Sequence, residues 1–288
     1  MIDLHTHSTA SDGTLSPAGL VEAACKQGLE ALAITDHDTL AGYDEAAPVA
    51  RSLGLDLVCG IELGTRLPRT TGRHGRSVHL LGYFLQATPT VEFTHWLRQV
   101  LEIRRDRNRR MVGRLNELGV RITMDEVESV GGRLTGRPHF ARVRVRKGYA
   151  ASFDEAFALY LDESAKAYVR RVEPSVPEAI WRIRHSGGIA VLAHPGRLDL
   201  SDPAEEEALV RWMRHDGLQG IEVFHPDHDR PREKRYWRLA ERYGLLVTGG
   251  SDFHGSVKAD IRLGTGRGML SVSAAVLRRL RESTRPNG

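Results

Sequence analysis

The chain has 288 residues, 41% of them hydrophobic, which is enough for one large domain or for a barrel-sized domain carrying an insertion. No apolar run approaches the roughly 20 residues a membrane span needs, and the chain enters its first strand pattern from Met1 without a signal-peptide signature, so we expect a cytoplasmic protein with no membrane partner. The net charge of +4, carried mainly by Arg, is permissive for phosphate-bearing ligands but is not a nucleic-acid signature by itself.

The opening residues Ile2 to His7 alternate as a strand and end in His5-Thr-His7, so both imidazoles project from one face. Ser16-Pro17 begins a helix that Gly28 stops. Leu29 to Thr35 reads as a buried strand ending on Asp36-His37-Asp38, Ala41 to Leu53 as a helix, Leu55 to Leu63 as a strand carrying Glu62, and Ser77 to Phe84 as a strand carrying His79. Arg66 to Arg76 reads as a basic surface loop. Cys25 and Cys59 fit reduced, packed thiols.

From Thr88 the strand signal disappears. A long amphipathic run over Val91 to Leu118 and the capping boxes Thr123-x-x-Glu126 and Ser152-x-x-Glu155 predict a helical insertion over 88–166, flanked by barrel parts 1–87 and 167–288. Within it, Arg104 to Arg110 is most simply a solvated helix face. The alternation then resumes: a helix from Ser175 to His185, a strand from Gly188 to His194, a helix from Pro203 to Asp216, a strand from Leu218 to Phe224 followed by His225-Pro-Asp-His228, a helix from Arg230 to Tyr243, a strand over Leu245 to Thr248 followed by Ser251-Asp252-Phe-His254, and a last helix over Ala274 to Glu282. About seven strands alternating with helices predict an α/β fold with a parallel sheet closed into a barrel.

In nearly every case the metal-type residue, His79 included, falls at the carboxyl end of one of these strands, and in a β/α barrel those ends converge on one mouth. Six histidines with Asp12, Glu62 and Asp252, and no thiolate, exceed what one tetrahedral ion uses. The mix suits Mn²⁺, Fe²⁺ or Zn²⁺ in a multinuclear site, with a carboxylate such as Glu62 as a bridge. Clustered ions activate water and clamp a phosphoryl oxygen, so a hydroxide held by the metals, with no protein nucleophile, is the expected attacking group.

His5-x-His7, Asp36-His37-Asp38, Gly60-x-Glu62, His194-Pro195 and Ser251-Asp252-x-His254 resemble, in this order, the motifs of the PHP (polymerase and histidinol phosphatase) superfamily. The resemblance implies a distorted seven-stranded β/α barrel with a helical insertion, and metal ligands at His5, His7, Asp12, His37, Glu62, His79, His194, Asp252 and His254. Many members carry His where Asp12 stands, so two or three ions are expected, Mn²⁺ first, with Fe²⁺, Zn²⁺ or Mg²⁺ as alternatives. Thr135-Gly-Arg137-Pro-His139-Phe-Ala resembles the branch of 3′,5′-nucleoside bisphosphate phosphatases and 5′→3′ exoribonucleases. It implies a pAp-like nucleotide or short RNA as substrate. Arg137, His139, Arg170 and Arg197, with Asp12 and His37, are the candidates for contacting it; His225 and His228 are candidate assistants to catalysis, and Asp36 and Asp38 candidates for orienting the ligands. The competing readings are a phosphatase of other specificity, such as histidinol phosphate, and a non-catalytic RNA-binding metal protein.

Overall fold

In the computed structural model, described for residues 1–67, 76–131, 134–162, 164–198, 200 and 202–284, the chain forms two compact units, 1–94 with 174–288, and 95–173. Most of the predicted basic loop over 66–76, His74 included, lies outside the described residues. No helix among the described residues is long and apolar enough to cross a membrane.

The first unit is a nearly closed barrel. Among the described residues one seven-stranded sheet runs in sequence order, β1 Ile2–Thr6, β2 Ala31–Ile34, β3 Asp56–Arg66, β4 Ser77–Phe84, β5 Ile189–Leu192, β6 Gly220–Phe224 and β7 Leu246–Gly249. β1 meets the segment after β7 through Asp252 N–H to His5 O at 2.8 Å and His7 N–H to Phe253 O at 2.9 Å. That pairing brings the two His/Asp motifs at opposite ends of the sequence side by side.

The sheet is not all parallel, as the alternation pattern predicted. β4 is antiparallel to both β3 and β5. The reason lies in the connection: β3 ends at Arg66 and β4 begins at Ser77, too short a span for the dozen or so residues a crossover needs, and two strands joined so closely pair antiparallel. His79 therefore sits at the amino end of its strand, and the reversal is what carries that end to the mouth.

Alternate residues face the barrel interior, and the stripes change character along their length. Val58, Leu81, Tyr83, Ile189, Val191 and Ala193 belong to one buried apolar cluster, while Glu62 and His79 continue the same stripes at the mouth. The opposite face of β2 buries Leu32 and Ile34 against Leu20, Val21 and Ala24 of α1 (Pro17–Lys26) and Ala46 and Ala50 of α2 (Ala41–Leu53). Ser16 caps α1 by accepting from Gly19 N–H, with Pro17 in the first turn, as the sequence predicts.

The second unit is helical: it takes in most of α3 (Val91–Glu117), then α4 (Met124–Gly131), α5 (Arg137–Arg146) and α6 (Phe153–Ala156), the last continuing into a π-helical turn over Phe157–Leu161. The first capping box forms on both arms, with Thr123 N–H donating to Glu126 at 2.8 Å and Glu126 N–H to Thr123 Oγ1 at 3.2 Å; at the second, Glu155 N–H donates to Ser152 Oγ at 3.1 Å, but the Glu155 carboxylate accepts from Ala151 N–H and not from Ser152. Its core holds Met111, Leu115, Val127, Phe140, Val143 and Leu161.

The Arg104–Arg110 block is not a solvated face throughout. Arg107 is 5% exposed and Asn108 1%, and Asn108 Nδ2 donates to Thr135 O at 2.7 Å. Positions 104, 107, 108, 111 and 115 share one helical stripe, so Met111 and Leu115 carry the polar pair inward with them. α7 (Val176–His185), α8 (Pro203–His215), α9 (Arg230–Tyr243) and α10 (Ala274–Ser283) complete the barrel unit.

Candidate metal centre

Glu62 is the hub of the mouth. Its Oε2 lies 3.2 Å from His5 Nε2, 3.1 Å from His7 Nε2 and 3.2 Å from His37 Nδ1, while Oε1 lies 2.7 Å from His79 Nδ1 and 2.8 Å from His194 Nε2. Backbone pairing explains the convergence: Asp38 N–H donates to Glu62 O and Glu62 N–H to Asp36 O, so β2's extension lays His37 beside β3. Asp252 Oδ1 stands 3.3 Å from His7 Nε2 and 3.5 Å from His5 Nε2, and Asp12 Oδ1 3.3 Å from His254 Nε2.

Three donor groups result, each with ligand atoms within 4.8 Å of one another: His5, His7, Glu62 and Asp252; His37, Glu62 and His79; and His7, Asp12, His37 and His254. Glu62 belongs to two groups, and His7 and His37 each to two as well. His194 joins through its contact with Glu62 Oε1.

The backbone is bent to make this arrangement. Among the described residues, the non-glycine residues with left-handed backbone are Asp38 at φ 52°, His194 at φ 24° and Asp252 at φ 51°. All three follow strand ends at the mouth, where strain of this kind persists only because surrounding structure enforces it.

Carboxylates behind the ligands fix their tautomers. His5 Nδ1 donates to Glu222 Oε1 at 2.9 Å, which turns its Nε2 toward Glu62, and the other oxygen of Glu222 accepts from His194 N–H at 2.7 Å. His254 Nδ1 donates to Asp252 O at 2.8 Å, leaving Nε2 for the Asp12 side. Asp36 accepts from Ser8 N–H at 2.7 Å, Ser8 Oγ at 2.6 Å and Ser11 Oγ at 2.5 Å, so it holds the loop that carries Asp12; Asp38 accepts from Gly64 N–H at 3.0 Å. Asp3 accepts from Ser251 N–H at 2.9 Å and Ser251 Oγ at 2.5 Å, anchoring the segment that carries Asp252.

Electrostatics fit cations. Burial alone lowers every imidazole here; at His5 the charges of Glu222, Glu62 and Asp252 overcome it and hold the ring well above its ordinary value, and at His7 bonds to Asp252 and Glu62 raise it to about 9. At His37 and His194 burial prevails and the value falls to about 4. Burial would raise Glu62, Asp252 and Asp12, but the surrounding imidazoles hold all three well below the usual carboxylate range. His7 Nε2 is buried between Glu62 Oε2 and Asp252 Oδ1, and its ring stacks on His254 at 4.1 Å between centroids. Ionised carboxylates among imidazoles this closely packed suit divalent ions in place of protons.

Asp252 Oδ2, on the side away from His5 and His7, accepts from Arg197 Nη1 at 2.6 Å and Lys258 Nζ at 2.7 Å. His225 Nδ1 accepts from Asp227 N–H, so its Nε2 carries the proton, 3.5 Å from Asp252 Oδ2. His228 differs from the sequence expectation. Its Nε2 accepts from Gly196 N–H at 3.2 Å and its Nδ1 donates to Val223 O at 2.8 Å, so both nitrogens hold backbone, and the ring pins the turn that follows His194.

In the insertion unit, His139 Nδ1 accepts from Gly136 N–H at 3.0 Å and the residue is 6% exposed, which makes it part of the α5 cap. Arg137 donates to Leu161 O at 3.3 Å and lies 5.6 Å from the Tyr168 ring centroid; Arg170 is exposed. Sequence reasoning missed Glu222, Asp3 and Lys258. The signal for the first two was present, a lone acid inside an apolar strand; Lys258 had none.

The sequence matches the family described as PHP domain over residues 3–168. It is 33% identical over 252 residues to a 5′-3′ exoribonuclease of Haemophilus influenzae, covering 88% of this chain and 89% of the relative. It is also 33% identical to a 3′,5′-nucleoside bisphosphate phosphatase of Chromobacterium violaceum, covering 88% and 87%. A phosphoribosyl 1,2-cyclic phosphate 1,2-diphosphodiesterase of Eggerthella lenta matches at 33%, covering 88% and 94%. A crystal structure from Bifidobacterium adolescentis, described as a metal-dependent phosphoesterase, superposes with TM-score 0.80 at 35% identity over 99% of this chain and 97% of that one.

Proposed function

The chain belongs to the PHP domain family and is a metal-dependent phosphoesterase; from that premise we propose that it removes the 3′-phosphate of 3′,5′-nucleoside bisphosphates such as pAp. The observation that carries the chemistry is the sharing of Glu62 among five imidazoles, three on one oxygen and two on the other. The substrate rests on the bisphosphate phosphatase relative and on the Thr135–Ala141 stretch.

His5, His7, Glu62 and Asp252 would hold one divalent ion, Glu62, His79 and His194 a second, and Asp12, His37 and His254 a third; Mn²⁺ is the proposed metal. Ions held there supply Lewis acids for a phosphoryl oxygen and bring the acidity of water toward neutrality. The residues of the chain do the rest. Glu222 keeps His5 in the tautomer that faces Glu62. Arg197 donates through Nε to Asp227 and through Nη1 to Asp252, where Lys258 also donates, so the two cations stand beside the cluster as charges for a phosphoryl oxygen. His225 presents its Nε2–H beside them as a donor for the leaving oxygen. Arg137 and Arg170 are assigned to the far end of the substrate, while His139 shapes the start of α5.

The test is phosphate release from pAp by purified protein with Mn²⁺, with a chelator control and 5′-monophosphorylated RNA, a cyclic phosphate diester and histidinol phosphate in parallel. Rapid chelator-sensitive conversion of pAp to AMP is the expected result. Preference for the cyclic diester or histidinol phosphate would overturn the substrate assignment and leave the phosphoesterase site standing. Shortening of RNA from its 5′ end is the second reading; the exoribonuclease relative favours it, and it uses the same residues.

A further inference from the structure

Arg197 reaches the metal centre from the turn after His194 and is held from two sides. Its Nη1 donates to Asp252 Oδ2 at 2.6 Å and its Nε to Asp227 Oδ2 at 2.7 Å. Asp227 is itself shared: its Oδ1 accepts from Arg267 Nη1 at 2.7 Å, and Arg267 also donates to Pro226 O at 2.8 Å and to Asp260 Oδ2 at 2.8 Å. Asp260, Arg267, Asp227, Arg197 and Asp252 thus form a row of alternating charge. It runs from the surface, where the Arg267 side chain is 49% exposed, to Asp252 at the cluster, 3% exposed. Burial would raise Asp227, but the bond from Arg267 and the charge of Arg197 hold it below the usual carboxylate range, so it stays a charged link between them.

The turn that presents Arg267 is set by its backbone. Gly266 and Gly268 flank it at φ 55° and 94°, which side chains rarely adopt, and a Cβ at Gly266 would stand 2.8 Å from the Pro226 ring. Arg262 and Gly266 exchange backbone hydrogen bonds at 2.8 Å, and Gly264 N–H donates at 2.8 Å to Asp3, the carboxylate that also anchors Ser251 beside Asp252. The turn and the candidate ligand Asp252 therefore hang from one buried acid. As a strut for the fold the row is weak, since exposed ion pairs contribute about 1 kcal/mol at most. As a guide it is strong: anchors at two different nitrogens fix the plane of Arg197, whereas Asp252 alone leaves that plane free to turn. Arg197 Nη2 makes no hydrogen bond among the described residues, which leaves it for a phosphoryl oxygen.

We propose that Arg267 is a positioning residue for phosphoester cleavage: through Asp227 it fixes the plane of Arg197 against Asp252, so that Arg197 Nη2 meets the phosphoryl group at the cluster. Arg267 itself touches no substrate. The inference rests on the reading of Arg197 as a phosphate contact.

The experiment is a double-mutant cycle on the full-length, Mn²⁺-loaded protein: wild type, Arg267→Gln, Arg197→Gln and the pair, with Arg267→Lys as the conservative variant. Each is titrated calorimetrically with inorganic phosphate and assayed for kcat/KM on pAp, and its melt and metal content are measured. Arg197→Gln weakens phosphate and lowers kcat/KM by roughly tenfold or more, as expected when a hydrogen bond to a charged group is removed. Arg267→Gln lowers both by about three- to tenfold with melt and metal content unchanged, Arg267→Lys recovers most of that loss, and Arg267→Gln has no further effect once Arg197 is Gln. Wild-type phosphate affinity and kcat/KM in Arg267→Gln, losses that multiply in the pair, or a loss that follows missing metal would each overturn the assignment. Failure of the bisphosphatase reading looks different: pAp is not hydrolysed, yet phosphate affinity still falls in Arg267→Gln and not further in the pair.

Discussion

The barrel mouth and the insertion both bury polar side chains, but they do so in different ways. At the mouth several ligands are backed by dedicated partners: Glu222 behind His5, Asp3 behind the Ser251–Asp252 turn, Asp36 behind the Ser8–Ser11 loop. In the insertion, Arg107 is backed by a thioether and Arg144, also fully buried, by Ala156 O and the Tyr160 ring at 3.4 Å. A site that holds metal ions must fix its donors to fractions of an ångström, and paired carboxylates achieve that.

The largest expected effect separates ligand from support. His194→Ala lowers turnover at least about a hundredfold while the melting temperature of the metal-free protein shifts little, measured by phosphate release and calorimetry. Activity retained in His194→Ala would remove it from the site. Next is Glu222→Gln, which touches no substrate but releases His5 from its tautomer; metal affinity falls about 10–100-fold, read by competition with a chromophoric chelator. Unchanged affinity would mean that the carboxylate behind His5 is merely buried.

Two glycines sharpen the contrast by stability. A Cβ at Gly42 would stand 2.0 Å from Asp36 Oδ2, and one at Gly131 2.4 Å from the His139 ring. Each alanine costs about 1–3 kcal/mol by overpacking, measured by denaturant unfolding. Gly42→Ala also lowers metal affinity, because Asp36 holds the Asp12 loop, whereas Gly131→Ala does not. The smallest effect concerns Cys59, whose thiol burial pushes up to about 12. A raised pKa leaves it as the unreactive thiol until the pH nears that value, so at pH 8 it is alkylated far more slowly in the folded protein than after unfolding, as mass spectrometry would show.

Legibility from the sequence follows the same division. The mouth was readable because its ligands come in short motifs at the ends of apolar strands, and each motif is paired to the next by the sheet. The direction of β4 was not read, although the loop predicted over Arg66 to Arg76, too short for a crossover, implied it. Glu222 and Asp3 sit alone within strands, and a single acid without a motif gives no hint of which histidine or turn it holds. Arg107 was hidden by composition: seven consecutive polar residues look solvated until Met111 and Leu115 are placed on the same stripe.

The most direct test of the central claim is metal content. Elemental analysis of the purified protein, reconstituted with Mn²⁺ and desalted, is compared between wild type and Glu62→Ala. Two or three ions per wild-type chain, with more than one lost in Glu62→Ala, is the predicted result. A single ion in wild type, or a Glu62→Ala protein that keeps its full complement, would contradict a cluster organised on Glu62.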